Sequence, residues 1–169
     1  MSHSWDRFTK SITVRSTTEQ LYRAFATRAG MESWFLRSCS YSTPNARLLP
    51  PLDLVNAGDK FRWHWFGYDD ATDENSEILE ANESDSFEFT FNSNGKTDMR
   101  VKINFEILEH DVRVNLTQYN IPEDDDSKGW YYVGCGEGWT FYLANLKSIF
   151  EGGIDLRNKD KMIKNVINS

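Results

Sequence analysis

Cys135 stands between Gly134 and Gly136, just ahead of a run whose apolar residues recur at helical spacing. A thiol at a helix start can have its pKa lowered by the helix dipole and act as a nucleophile. No histidine neighbours it in sequence to take the proton, so the glycines at 129, 134, 136 and 138 read better as an adaptable entry segment. That segment could gate a pocket, with Trp130, Tyr131 and Tyr132 as flap side chains. Glu77 and Glu80 flank Ile78 and Leu79, and strict alternation sends one of the two inward. A carboxylate in an apolar pocket has a raised pKa and suits acid–base work or the orienting of a polar ligand group. An edge-exposed or arginine-paired carboxylate is the plainer alternative. His64 lies between Trp63 and Trp65 and falls by parity on the outward face, as an exposed imidazole rather than a base. The acidic runs at 69–74 and 123–126 lack the alternating ligands and glycine of a calcium loop and read as solvated loops near the pocket mouth. No His/Cys/carboxylate cluster has zinc spacing, and the sequence asks for no metal and no cofactor.

The elements that must position these groups are legible from hydrophobic periodicity. Trp139, Leu143, Leu146 and Phe150 mark one face of an amphipathic helix. Alternation predicts a first strand over 7–15, and Ser16 with Glu19 then forms a capping box for a helix ending near Thr27. A second short helix spans 29–36 and presents Trp34 and Phe35. Pro44, Pro50 and Pro51 leave room for one short strand near 39–42 and then loop. Further strands are expected at 60–66, 76–81, 86–92, 98–109 and 112–119. The short turns between the later ones imply antiparallel pairing. In each strand one face is apolar and the other polar, so the sheet has one covered and one solvated side. The late helix is the cover.

Bulk properties narrow the function classes. The 169 residues fit one domain, aromatic residues make up 14%, and the net charge is −7. That balance argues against a general nucleic-acid binder and against docking on anionic membranes. No run approaches the ~18 apolar residues of a spanning helix, and the N-terminal stretch 1–10 has no apolar core of a secretory signal. Cys39 and Cys135 read as free thiols of a reducing cytosol.

The order β-α-α, antiparallel strands and closing helix resembles the START-like helix-grip superfamily. Within it, the chain resembles the family named for the activator of the ninety-kilodalton heat-shock protein ATPase, in its C-terminal domain. The residues that carry this are Ile12-Thr13-Val14 with Ser16 and Glu19, Trp34-Phe35, and Gly58-Asp59-Lys60-Phe61. Gly138-Trp139, Leu143, Leu146-Lys147, Glu151-Gly152 and Asp155-Leu156-Arg157 complete it. The match covers about residues 7–157, leaving 158–169 as a C-terminal extension in which Met162 with Val166 and Ile163 with Ile167 could pair as a short amphipathic segment. Asp59 stands where the family often has a second glycine.

The resemblance implies an α+β helix-grip fold: a curved antiparallel sheet of about six or seven strands, two short helices, and a long C-terminal helix across it. Phe61, Trp63, Trp65, Phe89, Phe91, Val101, Ile103 and Phe105 would then face the helix, with Trp139, Tyr142, Leu143 and Leu146 facing back. Trp34 and Phe35 would sit near the entrance. Such an interior is either a filled core or a pocket for a small hydrophobic or aromatic molecule. The resemblance also admits a chaperone partner whose ATPase is stimulated, and a polyketide-cyclase-like enzyme, which the scarcity of inward polar groups disfavours.

Overall fold

The computed structural model describes residues 4–163 and Val166. Seven strands form one antiparallel, curved sheet in the order β1-β7-β6-β5-β4-β3-β2. They are β1 Arg7–Val14, β2 Ser38–Ser42, β3 Lys60–His64, β4 Glu74–Ala81, β5 Ser86–Thr90, β6 Arg100–Ile107 and β7 Val112–Tyr119. The helices are α1 Thr18–Ala26, α2 Arg28–Trp34, the single turn α3 Asp125–Ser127, and the closing helix α4 Cys135–Phe150. A π-helical segment, Lys128–Gly134, joins α3 to α4. The expected amphipathic pairing in the extension includes Ile167, which lies outside the described residues.

The first helix begins one residue later than its capping signal suggested. Thr17, not Ser16, is the N-cap: its hydroxyl accepts from Gln20 N–H at 3.2 Å, and Gln20 Oε1 accepts from Thr17 N–H. The Ser-Thr-Thr-Glu-Gln run contains two overlapping boxes, and the chain uses the second. Thr27 alone separates α1 from α2. Its hydroxyl donates to Arg23 O at 2.8 Å and accepts from Gly30 N–H at 3.0 Å. This turn is so tight that a Cβ on Gly30 would lie 2.1 Å from Arg23 O.

Parity fails in β4. The register steps from Ile78↔Phe89 to Glu80↔Glu88, so Leu79 is an extra residue in a β-bulge. Glu77 and Glu80 consequently share the outer face, Glu77 paired with Lys60 and Glu80 with Lys102 at 2.7 Å. The expectation that one of them points inward is corrected by that bulge. The inward carboxylate is Glu74, the cross-strand neighbour of buried Trp63. Asp59 is equally buried, and its carboxylate accepts from Asn56 N–H at 2.7 Å, closing the turn whose Gly58 has φ +92°. No helix among the described residues is long and apolar enough to cross a membrane.

Candidate functional site

Between α4 and the inner sheet face the aromatic side chains are mostly in contact with one another. Phe61 stacks on Trp63 at 3.9 Å, and Trp63 meets Phe89 edge-on at 4.9 Å. Phe35, at the end of α2, stacks on Trp139 of α4 at 4.9 Å with 26° between planes. Phe91 approaches the same indole at 5.8 Å. The Trp139 Nε1–H donates to Gln118 Oε1 at 2.9 Å, so β7 fixes the indole's rotation with a fully buried amide.

This packing leaves an apolar cleft of about 80 Å³ lined by Phe35, Trp65, Phe91, Cys135, Gly138, Trp139 and Tyr142. Of the residues expected to hold a ligand, Phe35, Trp65, Phe91, Trp139 and Tyr142 line this cleft. Phe61, Trp63, Phe89, Ile103, Phe105, Leu143 and Leu146 are packed into the core instead. Trp34 is a core residue too, not an entrance: it is fully buried and its Nε1–H donates to Ala24 O at 2.9 Å. The cleft is smaller than the roughly 300–1,000 Å³ of drug-sized sites. It is also smaller than the apolar cavities of about 150 Å³ that take up benzene.

The polar groups of the cleft are a thiol and a phenol. Burial pushes the Cys135 thiol up to about 11, with Glu74 adding to the rise against a hydrogen bond from Gln118. Burial likewise pushes the Tyr142 phenol up to about 12, and Tyr68 adds to it. Burial thus opposes thiolate formation at Cys135, against the lowering that its place at the helix start suggested. Glu74 is raised by burial, while backbone N–H groups of Asn92, Asn94 and Ser93 partly hold it down. Its Oε1 accepts from Asn92 N–H at 2.9 Å, which ties the β5–β6 turn to β4.

The glycine-rich entry is wound helix rather than an open flap. In the π-helical segment Tyr131 bonds Ser93 Oγ at 3.1 Å, and Tyr132 packs edge-on against Phe8 at 5.6 Å. Trp130, 76% exposed, and Val133 are left outside. Segments of this kind recur at functional sites because one extra residue per turn re-aims side chains.

The other wall is held by a network that periodicity could not show. Asn145, fully buried in α4, donates to Trp34 O at 2.7 Å and accepts from Leu156 N–H at 2.7 Å. Arg157 donates to Leu36 O at 2.9 Å and Ser33 O at 2.9 Å, and pairs with Asp155 at 2.7 Å. These bonds satisfy the terminal carbonyls of α2 and so fix the residue that follows it, Phe35. Asp155-Leu156-Arg157 stood out only as part of the family resemblance; its role is to staple the tail to α2.

A curved antiparallel sheet gripping one long helix, with an apolar cleft at their junction, defines a helix-grip protein. The chain belongs to the family described as activator of Hsp90 ATPase homolog 1-like protein, which it matches over residues 15–151. Among solved structures it is similar to the Aha1 dimer of Colwellia psychrerythraea, at 16% identity and TM-score 0.66, over 87% of this chain and 97% of that one. Protein SSP2350 of Staphylococcus saprophyticus is similar at 20% identity and TM-score 0.67, covering 89% and 96%. PFC0360w of Plasmodium falciparum, described as an HSP90 activator, is similar at 18% identity and TM-score 0.60, covering 86% and 96%. At these identities the likeness is one of fold. No curated protein sequence matches the chain.

Proposed function

We propose that this family member is a binding protein that takes a small apolar or aromatic group into the cleft under α4. The observation that carries this is the ring of Phe35, Trp65, Phe91, Trp139 and Tyr142 around a gap that the core does not fill. Aromatic walls add about 0.5–1.5 kcal/mol per ring pair beyond burial. Burial opposes ionisation of Cys135 and Tyr142, which favours holding a ligand over abstracting a proton from it. Two free thiols suit a reducing compartment such as the cytoplasm.

The test is thermal unfolding with single-ring compounds (benzene, indole, p-cresol) in the wild type and in Gly138→Leu, whose new side chain would fill the cleft. A ligand at about 100 times its Kd raises stability by ~2.7 kcal/mol. The midpoint should rise in the wild type and stay fixed in the plugged variant. Equal responses in both, or none in either, would refute the reading.

A second reading, docking on a large chaperone ATPase, is favoured by the exposed Trp130 and Val133 of the π-helical segment. It is also suggested by the description of one structural neighbour as an HSP90 activator. Unchanged chaperone turnover at saturating protein would rule it out. A stimulation insensitive to Trp130→Ala would rule out this surface.

A further inference from the structure

We propose that the outer edge of β1 is a docking site for an extended peptide segment of another protein, which adds there as an eighth strand. β1 ends the sheet, paired with β7 on one side only. Two bonds show which of its groups face away from β7. Lys147 Nζ of α4 donates to Thr13 O at 2.7 Å, and Glu151 Oε1 accepts from Arg15 N–H at 2.9 Å. In an antiparallel strand the backbone groups of alternate residues point to the same side. Arg7, Thr9 and Ser11 therefore turn their N–H and C=O groups to this free edge as well. Among the described residues no bond engages them. The helix satisfies the last part of the edge and leaves the first part open.

Beside the open part lies a groove of about 560 Å³ between β1 and the flank of α4, lined among others by Lys10, Tyr132, Val133, Phe141 and Ala144. It runs on past Ala144 to Ile12 in an adjoining hollow. Ala144 and Val133 are exposed there. Lys10 lies across Gly136 with its ammonium 5.8 Å from the Phe8 ring centre, and the one carboxylate lining this groove, Glu137, makes no ion pair with it. Each feature selects the same occupant. Unpaired edge groups ask for an extended backbone, and the groove asks for apolar side chains at alternate positions. The lysine asks for a carboxylate on that same face. A helix could not meet the edge, and an apolar small molecule would leave its donors and acceptors in water.

This site is distinct from the cleft under α4 and does not depend on it. The test uses the full chain, labelled with nitrogen-15, and the peptide acetyl-Leu-Thr-Glu-Thr-Val-Thr-amide, which presents Leu, Glu and Val on one face. Saturable shifts should centre on Arg7, Thr9, Ser11 and Ala144, with slowed amide exchange at Thr9 and Ser11. Replacing the peptide's Glu by Lys should weaken binding several-fold. Ser11→Pro removes one outward donor without touching a β7 bond, a change that edge strands tolerate, and should weaken binding at least tenfold. Ala144→Glu at an exposed position obstructs the groove without a folding cost and should do the same. Absence of saturable shifts at millimolar peptide, or binding that neither variant weakens, overturns the proposal. So does a dimer formed without peptide and abolished by Ser11→Pro, since the occupant would then be a second copy.

Discussion

Phe35, the residue closing α2, lies stacked on Trp139 of the last helix at 4.9 Å. This contact joins the α1–α2 pair to α4 and forms one wall of the cleft. Truncating it should do two things at once. Phe35→Ala is expected to cost about 3–5 kcal/mol, the range for buried aromatic deletions, and to enlarge the cleft. Urea unfolding with and without indole checks both effects, because added indole should recover part of the loss.

Two helical glycines should respond with opposite signs. A Cβ at Gly138 meets nothing within 4 Å, whereas one at Gly30 would overlap Arg23 O at 2.1 Å. Gly138→Ala should therefore stabilise by up to about 1 kcal/mol through helix propensity. Gly30→Ala should destabilise, because the obstructing atoms are backbone. Denaturant midpoints of the two variants settle the comparison.

Arg157 is 7% exposed, and its guanidinium reaches three carbonyls at the end of α2 besides Asp155. Arg157→Met should cost roughly 3–5 kcal/mol, since Asp155 and the carbonyls lose a partly buried partner. Arg157→Lys should recover little of this, because a single ammonium cannot reproduce the fork. Calorimetric unfolding of both variants tests the claim, and full recovery in the lysine variant would contradict it.

Two carboxylates should give opposite pH signatures. Burial raises Glu74 above its usual value, so the folded state holds that proton more tightly than the unfolded chain. Its contribution is full below the unfolded pKa of about 4.3 and is lost as pH rises through the higher folded value. Asp155 is pushed up by burial, but hydrogen bonds from Arg157 and Lys159 outweigh this and hold it well below the usual range. Its contribution is present above about pH 3.9 and is lost as pH falls towards the folded value. Stability measured from pH 2 to 7 should rise relative to wild type at the upper end in Glu74→Gln. In Asp155→Asn it should vary less at the acid end.

Sequence periodicity located what repeats and missed what breaks repetition. The spacing of Trp139, Leu143 and Leu146 identified α4, and alternation placed Phe61 and Trp63 on the inner face of β3. The same alternation failed in β4 because one inserted residue, Leu79, reverses parity without a local composition signal. Glu74 ended an acidic run that resembled a solvated turn, and only its pairing opposite Trp63 buries it. Gly129 and Gly134 suggested an adaptable entry segment, whereas that stretch is a π-helix in which Tyr131 bonds Ser93. The aromatic lining was visible as a set. How many of those rings touch one another, leaving about 80 Å³ unfilled, depends on rotamers and on the distant Asn145 and Arg157 anchors.

The most direct measurement is a crystal structure of the chain equilibrated with benzene. A ring seated between Phe35, Trp65 and Tyr142, displaced by the Gly138→Leu side chain in a parallel crystal, is the predicted result. An unoccupied cleft at saturating benzene, or a ring bound only elsewhere on the molecule, would contradict it.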